Sequence, residues 1–350
     1  MSEPQHPLLE IQHLSVEFPG ERRGAPLRAV DDVNLVVGGG ETVGLVGESG
    51  SGKTTIGRAV LGLTSTAGGE IAFDGAPITR ASTRQRRSLS QHLQVVFQDP
   101  YSSLNPARTI GQTLSETLRV HRKLSRAETD ERVVVMLEKV GLDRSAIVRY
   151  PAHFSGGQRQ RIAIARALIA EPRLVICDEP VSALDLSVQA QVLNLFRQLQ
   201  TEFSLSYLFI AHDLAVVRFL SHRIVVLYRG RVMEQGPADT VYRRPLHPYT
   251  QALLAAAPVP DPAEQSKRRE ERRKFTTASA ATAMSSSAGC PFAGRCPHVE
   301  DDCRTERPAL EVALGTTRVA CHHWEKINKD VKMTAKPPDR QLVPSRSDVA

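Results

Sequence analysis

The chain has 350 residues, 41% hydrophobic and 24% charged, the balance of a soluble globular protein with room for one large domain and an appendage or for two domains. Its net charge of +7 is spread over many segments, and only 5% of residues are aromatic, which argues against a nucleic-acid platform and favours a solvated basic surface. No stretch approaches the roughly 20 consecutive apolar residues that span a bilayer, and the start MSEPQHPLLE has no leader pattern, so the expected location is the cytoplasm.

Residues Ile11 to Phe18 alternate apolar and polar as a half-buried strand does, a bend follows from Pro19 to Pro26, and a second strand is expected around Val30 to Val37. Thr42 to Val46 is a short apolar strand that runs into a glycine-rich turn and then a helix from Thr54 to Leu63. The turn, Gly47-Glu48-Ser49-Gly50-Ser51-Gly52-Lys53-Thr54, fits the G-x-x-x-x-G-K-[ST] pattern. Its glycines let backbone N–H groups approach phosphate while the helix start points its positive end at the anion. Lys53 is expected to neutralise the β- and γ-phosphates of a nucleotide and Thr54 to ligate Mg²⁺, with Thr55 beside them at the helix start.

From about Leu93 to Ala170 the sequence turns polar and helix-favouring, which predicts an inserted helical subdomain. Near its end, Phe154-Ser155-Gly156-Gly157-Gln158 precedes a helical run from Arg159 to Ala170, a second glycine-rich, anion-friendly helix start. Leu174 to Cys177 is an apolar strand that ends in Asp178 and Glu179, two carboxylates suited to holding Mg²⁺ and to activating an attacking water. A helix from Val188 to Thr201 and strands at Tyr207 to Ile210, Ile224 to Tyr228 and Arg231 to Glu234 complete βαβ units and a mostly parallel sheet.

With these motifs in this order, the first 255 or so residues resemble the ABC-type ATPases, whose signature motif carries leucine where this chain has Phe154. The resemblance implies an α/β fold: a P-loop, RecA-like nucleotide-binding domain over residues 1–255, with an antiparallel β subdomain and the helical subdomain at about 93–170. It implies ATP and Mg²⁺ as ligands and a sandwich dimer, in which Ser155, Gly156, Gly157 and Gln158 of one subunit close on the ATP of another. Gln98 matches the Q-loop that senses Mg²⁺, the γ-phosphate and the membrane subunit; Ser182 to Asp185 match the D-loop. By the same resemblance Asp178 is a Mg²⁺ residue, Glu179 the water-activating base, His212 the switch histidine on the γ-phosphate, and Phe18 the aromatic that stacks on adenine. Non-transport relatives working on DNA or ribosomes carry long coiled coils or a second cassette, and this chain has neither. Lys53, Asp178, Glu179 and His212 are all present, which argues against a cassette that has lost catalysis.

Three segments narrow the resemblance to the oligopeptide/dipeptide importer subfamily, and within it to the F-type cassette: Phe97 to Pro106, Pro180 to Gln191 and Pro245 to Thr250. Such cassettes pair with a D-type ATPase subunit beneath two transmembrane permease subunits, fed by an extracytoplasmic solute-binding protein, at the cytoplasmic face of the membrane. The subfamily also serves nickel, glutathione and some sugars.

Residues 256–288, with the charged run Lys267 to Lys274 and the Ala/Ser/Thr-rich run Thr276 to Ala288, read as a linker, and 336–350 as a disordered tail. Between them, 289–335 is a small module with Cys290, Cys296, Cys303 and Cys321. Four thiolates suffice to enclose a metal centre, and structural disulfides are not expected in the cytoplasm. Some members of the importer subfamily hold a [4Fe–4S] cluster in this region. Zn²⁺ is the rival, with His322 or His323 able to replace a thiolate. Cys177 stands apart as a small buried residue of the sheet.

Overall fold

The computed structural model describes residues 6–20, 26–99, 101, 103–257, 265–266, 270 and 288–330. Residues 21–25 of the first bend, Pro100 and Ser102 of the Q-loop segment, most of the 256–288 linker and everything from 331 onward, including the 336–350 tail, lie outside them.

Strands β1 (Leu9–Phe18) and β2 (Leu27–Val37) form the expected antiparallel opening, β2 starting three residues before Val30, and with β4 (Gly68–Phe73) and β5 (Ala76–Pro77) they make a four-stranded sheet in the order β2-β1-β4-β5. The main sheet has eight strands. Its parallel part runs β6 (Leu93–Val96), β7 (Leu174–Asp178), β8 (Ser206–Ala211), β3 (Thr42–Val46) and β9 (Arg223–Tyr228). Antiparallel β10 (Arg231–Pro237), β12 (Thr317–Val319) and β11 (Glu311–Leu314) extend it beyond β9.

The central strands are apolar on both faces because each face has its own core. On β8, Leu208 and Ile210 pack toward the antiparallel sheet and helix α1 (Lys53–Leu61), while Tyr207 and Phe209 pack toward the helical side with α6 (Leu186–Phe203) and α7 (Leu214–Leu220). The alternation repeats on β7, where Leu174 and Ile176 take the first face and Val175 and Cys177 the second. Cys177 is fully buried there, and burial pushes its thiol well up.

Helices α3 (Ile110–His121), α4 (Arg126–Lys139) and α5 (Gly156–Leu168) each begin with a capping box, at Thr109/Gln112, Ser125/Glu128 and Ser155/Gln158. In each, the first side chain accepts from the third backbone N–H and the glutamine or glutamate reaches back, so the sequence marks these starts locally. The helical region expected from Leu93 begins later: Leu93–Val96 is strand β6, paired parallel with β7, because an apolar run this short reads equally well as helix or strand. The small elements between α1 and β6, namely β4, β5 and α2 (Thr83–Leu89), are additions to the expected layout.

The cysteine-bearing region is not a free-standing appendage. Glu234 and Gln235 of β10 pair with Val319 and Arg318 of β12, so it adds two strands to the main sheet. Among the described residues no helix is long and apolar enough to cross a membrane.

Candidate functional site

The C-terminal ends of parallel strands β3, β7 and β8 gather the first group of predicted residues. The turn after β3 is held by glycines at two close approaches: a Cβ on Gly47 would overlap the Leu227 carbonyl, and one on Gly52, at φ +102°, would overlap the Ala29 carbonyl. Lys53 is buried, and its ammonium donates to the carbonyls of Gly47 (2.7 Å) and Glu48 (2.9 Å) and to Ser51 Oγ (3.4 Å). Burial lowers its pKa against the pull of Glu179, Asp178 and Glu48. Thr55 follows Thr54 in the first turn of α1 and is partly buried.

The two residues predicted to share Mg²⁺ are already side by side: Thr54 Oγ1 donates to Asp178 Oδ1 at 2.8 Å. Burial raises the pKa of Asp178, and the Thr54 hydroxyl partly offsets this by stabilising the carboxylate. A divalent cation compensates two such oxygens with its own charge. Glu179, next along, has φ +47°, a left-handed conformation costly for a non-glycine residue, with its N–H donating to the Ile210 carbonyl of β8 at 3.0 Å. That twist sends its carboxylate toward His212, whose Nδ1 lies 3.3 Å from Glu179 Oε2. A carboxylate oriented by an imidazole at the mouth of a phosphate loop is the arrangement a water-activating base requires.

The second group faces outward. Ser155 caps α5, and its two glycines differ: a Cβ on Gly157 would overlap Val188 Cγ1 of α6, whereas one on Gly156 meets only ordinary contacts. Gly157 is therefore a packing position, and Gly156 leaves the helix start open. The Gln158 N–H donates to Ser155 Oγ at 3.3 Å, closing the cap. Asp185 caps α6 by accepting from Val188 N (3.0 Å) and Ser187 Oγ (2.6 Å), and Leu186 beside it is 83% exposed. Phe18 stands half-uncovered at the end of β1. Gln98 is exposed just past β6, and among the described residues no hydrogen bond joins it to Thr54 or Asp178. The chain therefore brings Lys53, Thr54, Asp178, Glu179 and His212 together, and leaves the Ser155 and Asp185 helix starts at the surface.

All four C-terminal cysteines line one largely apolar pocket with Phe292 and Ile327. None is in a disulfide. Burial pushes the Cys296 and Cys321 thiols up to about 12, and raises Cys290 and Cys303 as well; each is raised further by one or more neighbouring cysteines or acids. Four thiols lining one pocket are a sulfur donor set of the kind a metal centre uses, and among the described residues no three of their sulfurs lie within 4.8 Å of one another. His322 and His323 line the same pocket, hydrogen-bonded to the Glu306 carbonyl (3.2 Å) and to Asp302 (3.1 Å). Asp302, Cys303 and His323 do place three donor atoms within 4.8 Å of one another, the one such compact group among the described residues.

A connection that motif spacing does not reveal joins this pocket to the phosphate loop. Arg295, one residue before Cys296, grips the Glu48 carboxylate with both terminal nitrogens (2.8 and 2.9 Å), and the Glu48 N–H donates to Tyr249 Oη (2.8 Å). After the short helix α8 (Ala238–Arg243), Tyr249 sits on α9 (Pro248–Ala256), whose approach is fixed by the fully buried Glu234 accepting from the N–H groups of Leu246 and His247, each at 2.9 Å.

Known proteins resemble this chain over most of its length. Residues 30–182 match the ABC transporter family model, and residues 233–303 match the model of the oligopeptide/dipeptide transporter C-terminal region. The oligopeptide transport ATP-binding protein OppF of Escherichia coli K12 is 47% identical over 319 residues, covering 89% of this chain and 95% of that protein. OppF of Salmonella typhimurium is 48% identical over 313 residues, covering 87% and 92%. Among solved structures, the ATP-binding cassette MJ0796, in a dimeric post-hydrolysis state bound to ADP and Pi, superposes with a TM-score of 0.60 at 26% identity, covering 66% of this chain and 98% of that one. The chain belongs to the ABC transporter family of ATP-binding subunits, in the branch that carries the oligopeptide/dipeptide transporter C-terminal region.

Proposed function

We propose that the chain is the ATP-hydrolysing subunit that powers uptake of di- and oligopeptides through a membrane importer. The observation that carries the catalytic half is the pairing of Thr54 with Asp178 and of Glu179 with His212 at adjacent strand ends beside the phosphate loop. ATP lies with its phosphates over the N–H groups of residues 47–55 and against Lys53, and its adenine stacks on Phe18. Thr54, Asp178 and Gln98 would hold Mg²⁺, which would supply positive charge to the triphosphate. Glu179 accepts the proton of a water whose oxygen bonds to the γ-phosphorus; the bond from that phosphorus to the bridging oxygen breaks, and ADP leaves with the electron pair. His212 orients Glu179 and contacts the γ-phosphate.

The outward helix starts of Ser155–Gln158 and Asp185 serve the ATP of a second subunit, a D-type cassette forming a heterodimer. The pair works at the cytoplasmic face beneath two permease subunits, with an extracytoplasmic solute-binding protein delivering the peptide. The peptide substrate rests on the names of the relatives and on the matching C-terminal region.

The four C-terminal thiols are read as the ligands of a [4Fe–4S] cluster. A tetrahedral zinc ion with Zn–S bonds of about 2.3 Å draws its sulfurs to about 3.8 Å from one another, whereas among the described residues no three of these thiols fall within 4.8 Å. Zinc is the second reading, favoured by the compact Asp302, Cys303 and His323 group. Anaerobic purification with iron, sulfide and zinc analysis separates them, and stoichiometric zinc without sulfide defeats the cluster.

The test of the whole is the intact complex, reconstituted in liposomes with its binding protein. Peptide uptake is expected to require ATP, and Glu179→Gln to retain ATP binding while slowing hydrolysis about a hundredfold or more. Hydrolysis at the native rate removes Glu179 from catalysis. A metal ion or glutathione carried by the binding protein in place of peptide overturns the substrate.

A further inference from the structure

We infer that Arg295 and Tyr249 are positioning residues for the nucleotide site, through which the cysteine-bearing region holds the phosphate loop in its binding conformation. The inference rests on residues 47–54 being the triphosphate cradle. Within that loop, Glu48 is fixed from three directions: its carbonyl accepts from Lys53 (2.9 Å), its N–H donates to Tyr249 Oη (2.8 Å), and its carboxylate takes the two-pronged Arg295 guanidinium (2.8 and 2.9 Å). Two of the three holds come from outside the loop, from positions 201 and 247 residues away.

One hold is buried and the other is half-buried. Tyr249 is fully buried, its hydroxyl pushed well up by burial and its N–H donating to His247 Nδ1 at 2.9 Å. Arg295 lies over the rings of Tyr228 and Phe292, 6.0 and 5.5 Å from their centroids. It ends a short 3₁₀ turn, Ala293–Arg295, that is tied by backbone hydrogen bonds to the cysteines: Ala293 N to the Cys290 carbonyl (3.0 Å), Cys296 N to the Ala293 carbonyl (3.3 Å), and Cys290 N to the Cys303 carbonyl (2.8 Å). The segment that arranges the thiols thereby also aims Arg295 at Glu48.

The electrostatic consequence is specific. Glu48 carries a negative charge in a loop built to receive a triphosphate, and Arg295 neutralises it with a planar fork that a lysine does not reproduce. Without Arg295 the unpaired carboxylate repels the nucleotide and is free to swing. Removing the carboxylate as well takes away the repulsion, so the two substitutions are expected to compensate each other where independent structural damage would add.

The experiment measures ATP affinity and the KM-against-kcat split in the full chain within the assembled transporter. Arg295→Gln is expected to weaken ATP binding and raise KM about five- to tenfold with kcat within about twofold. Arg295→Lys recovers only part of the loss, and Glu48→Gln in the Arg295→Gln background restores affinity to within about threefold of native. Tyr249→Phe, which keeps the ring and deletes the hydroxyl, weakens binding in the same direction. An unchanged melting transition separates these effects from misfolding; if Arg295→Gln does not fold, Tyr249→Phe and the Glu48→Gln/Arg295→Gln pair carry the test. Native affinity in folded Arg295→Gln, or a double variant weaker than either single one, overturns the inference. Lys53→Ala is the control for the cradle itself: undiminished binding there defeats the underlying assignment, whereas lost binding there with neutral Arg295→Gln defeats only the clamp.

Discussion

Thr54 and Asp178 are 124 positions apart in sequence, yet the threonine hydroxyl donates to the aspartate carboxylate across 2.8 Å. The register explains it: β3 ends with Val46 opposite Ala211 of β8 and β7 ends with Asp178 opposite Ile210, so the loop leaving β3 and the last residue of β7 share one edge of the sheet. Asp178→Asn keeps the shape but replaces an anionic oxygen with a neutral amide, which is a poor partner for a hard divalent cation. Mg²⁺-dependent turnover is expected to fall about a hundredfold or more, while binding of nucleotide in the absence of Mg²⁺ stays within a few-fold of native. Titrating both activities against Mg²⁺ checks this, and loss of Mg²⁺-free binding would point to a damaged loop instead.

Glu179 stores backbone strain at the centre of the site, with φ +47°. Strain of this kind costs a non-glycine residue about 1–3 kcal/mol, and glycine adopts the conformation without it. Glu179→Gly is therefore expected to abolish hydrolysis and yet melt at or above the native temperature, whereas deleting an ordinary partly buried side chain lowers it. Calorimetry of the two proteins decides it; a clear fall in melting temperature would mean that the strain is negligible or is outweighed by the contact with His212.

Gly157 links the start of α5 to the Asp185 cap of α6. Its missing Cβ makes room for Val188 Cγ1, and the Val188 N–H in turn donates to Asp185 at 3.0 Å. Gly157→Ala forces α5 and α6 apart and is expected to cost about 1–3 kcal/mol. Val188→Ala in the same chain restores most of that stability, because it vacates the space the new methyl requires. Gly156→Ala meets no such obstacle and leaves the fold intact while obstructing the open helix start. Denaturant unfolding of the three variants, alongside ATP-driven dimerisation, distinguishes packing from docking.

The difference between these two glycines is invisible in the sequence, where both belong to one motif. What is legible there is contiguous chemistry: the phosphate loop from Gly47 to Thr54, the apolar run into Asp178 and Glu179, and capping boxes such as Ser155/Gln158 carry their signal within a few residues. Relationships between distant segments are not. Nothing near Arg295 announces Glu48, and the pairing of Val319 with Glu234 depends on a chain return that no local pattern encodes. Short apolar runs mislead for a different reason, since Leu93–Val96 is too brief for its periodicity to separate strand from helix.

Phe18 ends β1 opposite Leu27 and remains 39% exposed although it is a large apolar ring. Stacking a base on an aromatic side chain is worth about 1–3 kcal/mol, so Phe18→Ala is expected to raise the KM for ATP about tenfold with little change in kcat. Phe18→Trp keeps a π face and stays near native. Equal loss in both variants would show that the base does not stack there.

Phe292 offers the strongest mechanical test of the cysteine-bearing region. It is fully buried, edge-on to Tyr228 at 5.4 Å and tilted against Tyr249 at 5.4 Å, with the His247 ring 6.0 Å away. Phe292→Ala removes the ring that packs this region onto the sheet and α9, at a cost of about 3–5 kcal/mol. The cost is expected to fall mainly on that region, because Phe292 belongs to the helical-face core whereas the opposite face of the parallel strands keeps a core without it. Hydrogen exchange should accelerate across residues 288–330 and around Tyr249 while β3, β7 and β8 remain protected. Uniform acceleration through the parallel strands would instead mean that the region and the ATPase core unfold as one unit.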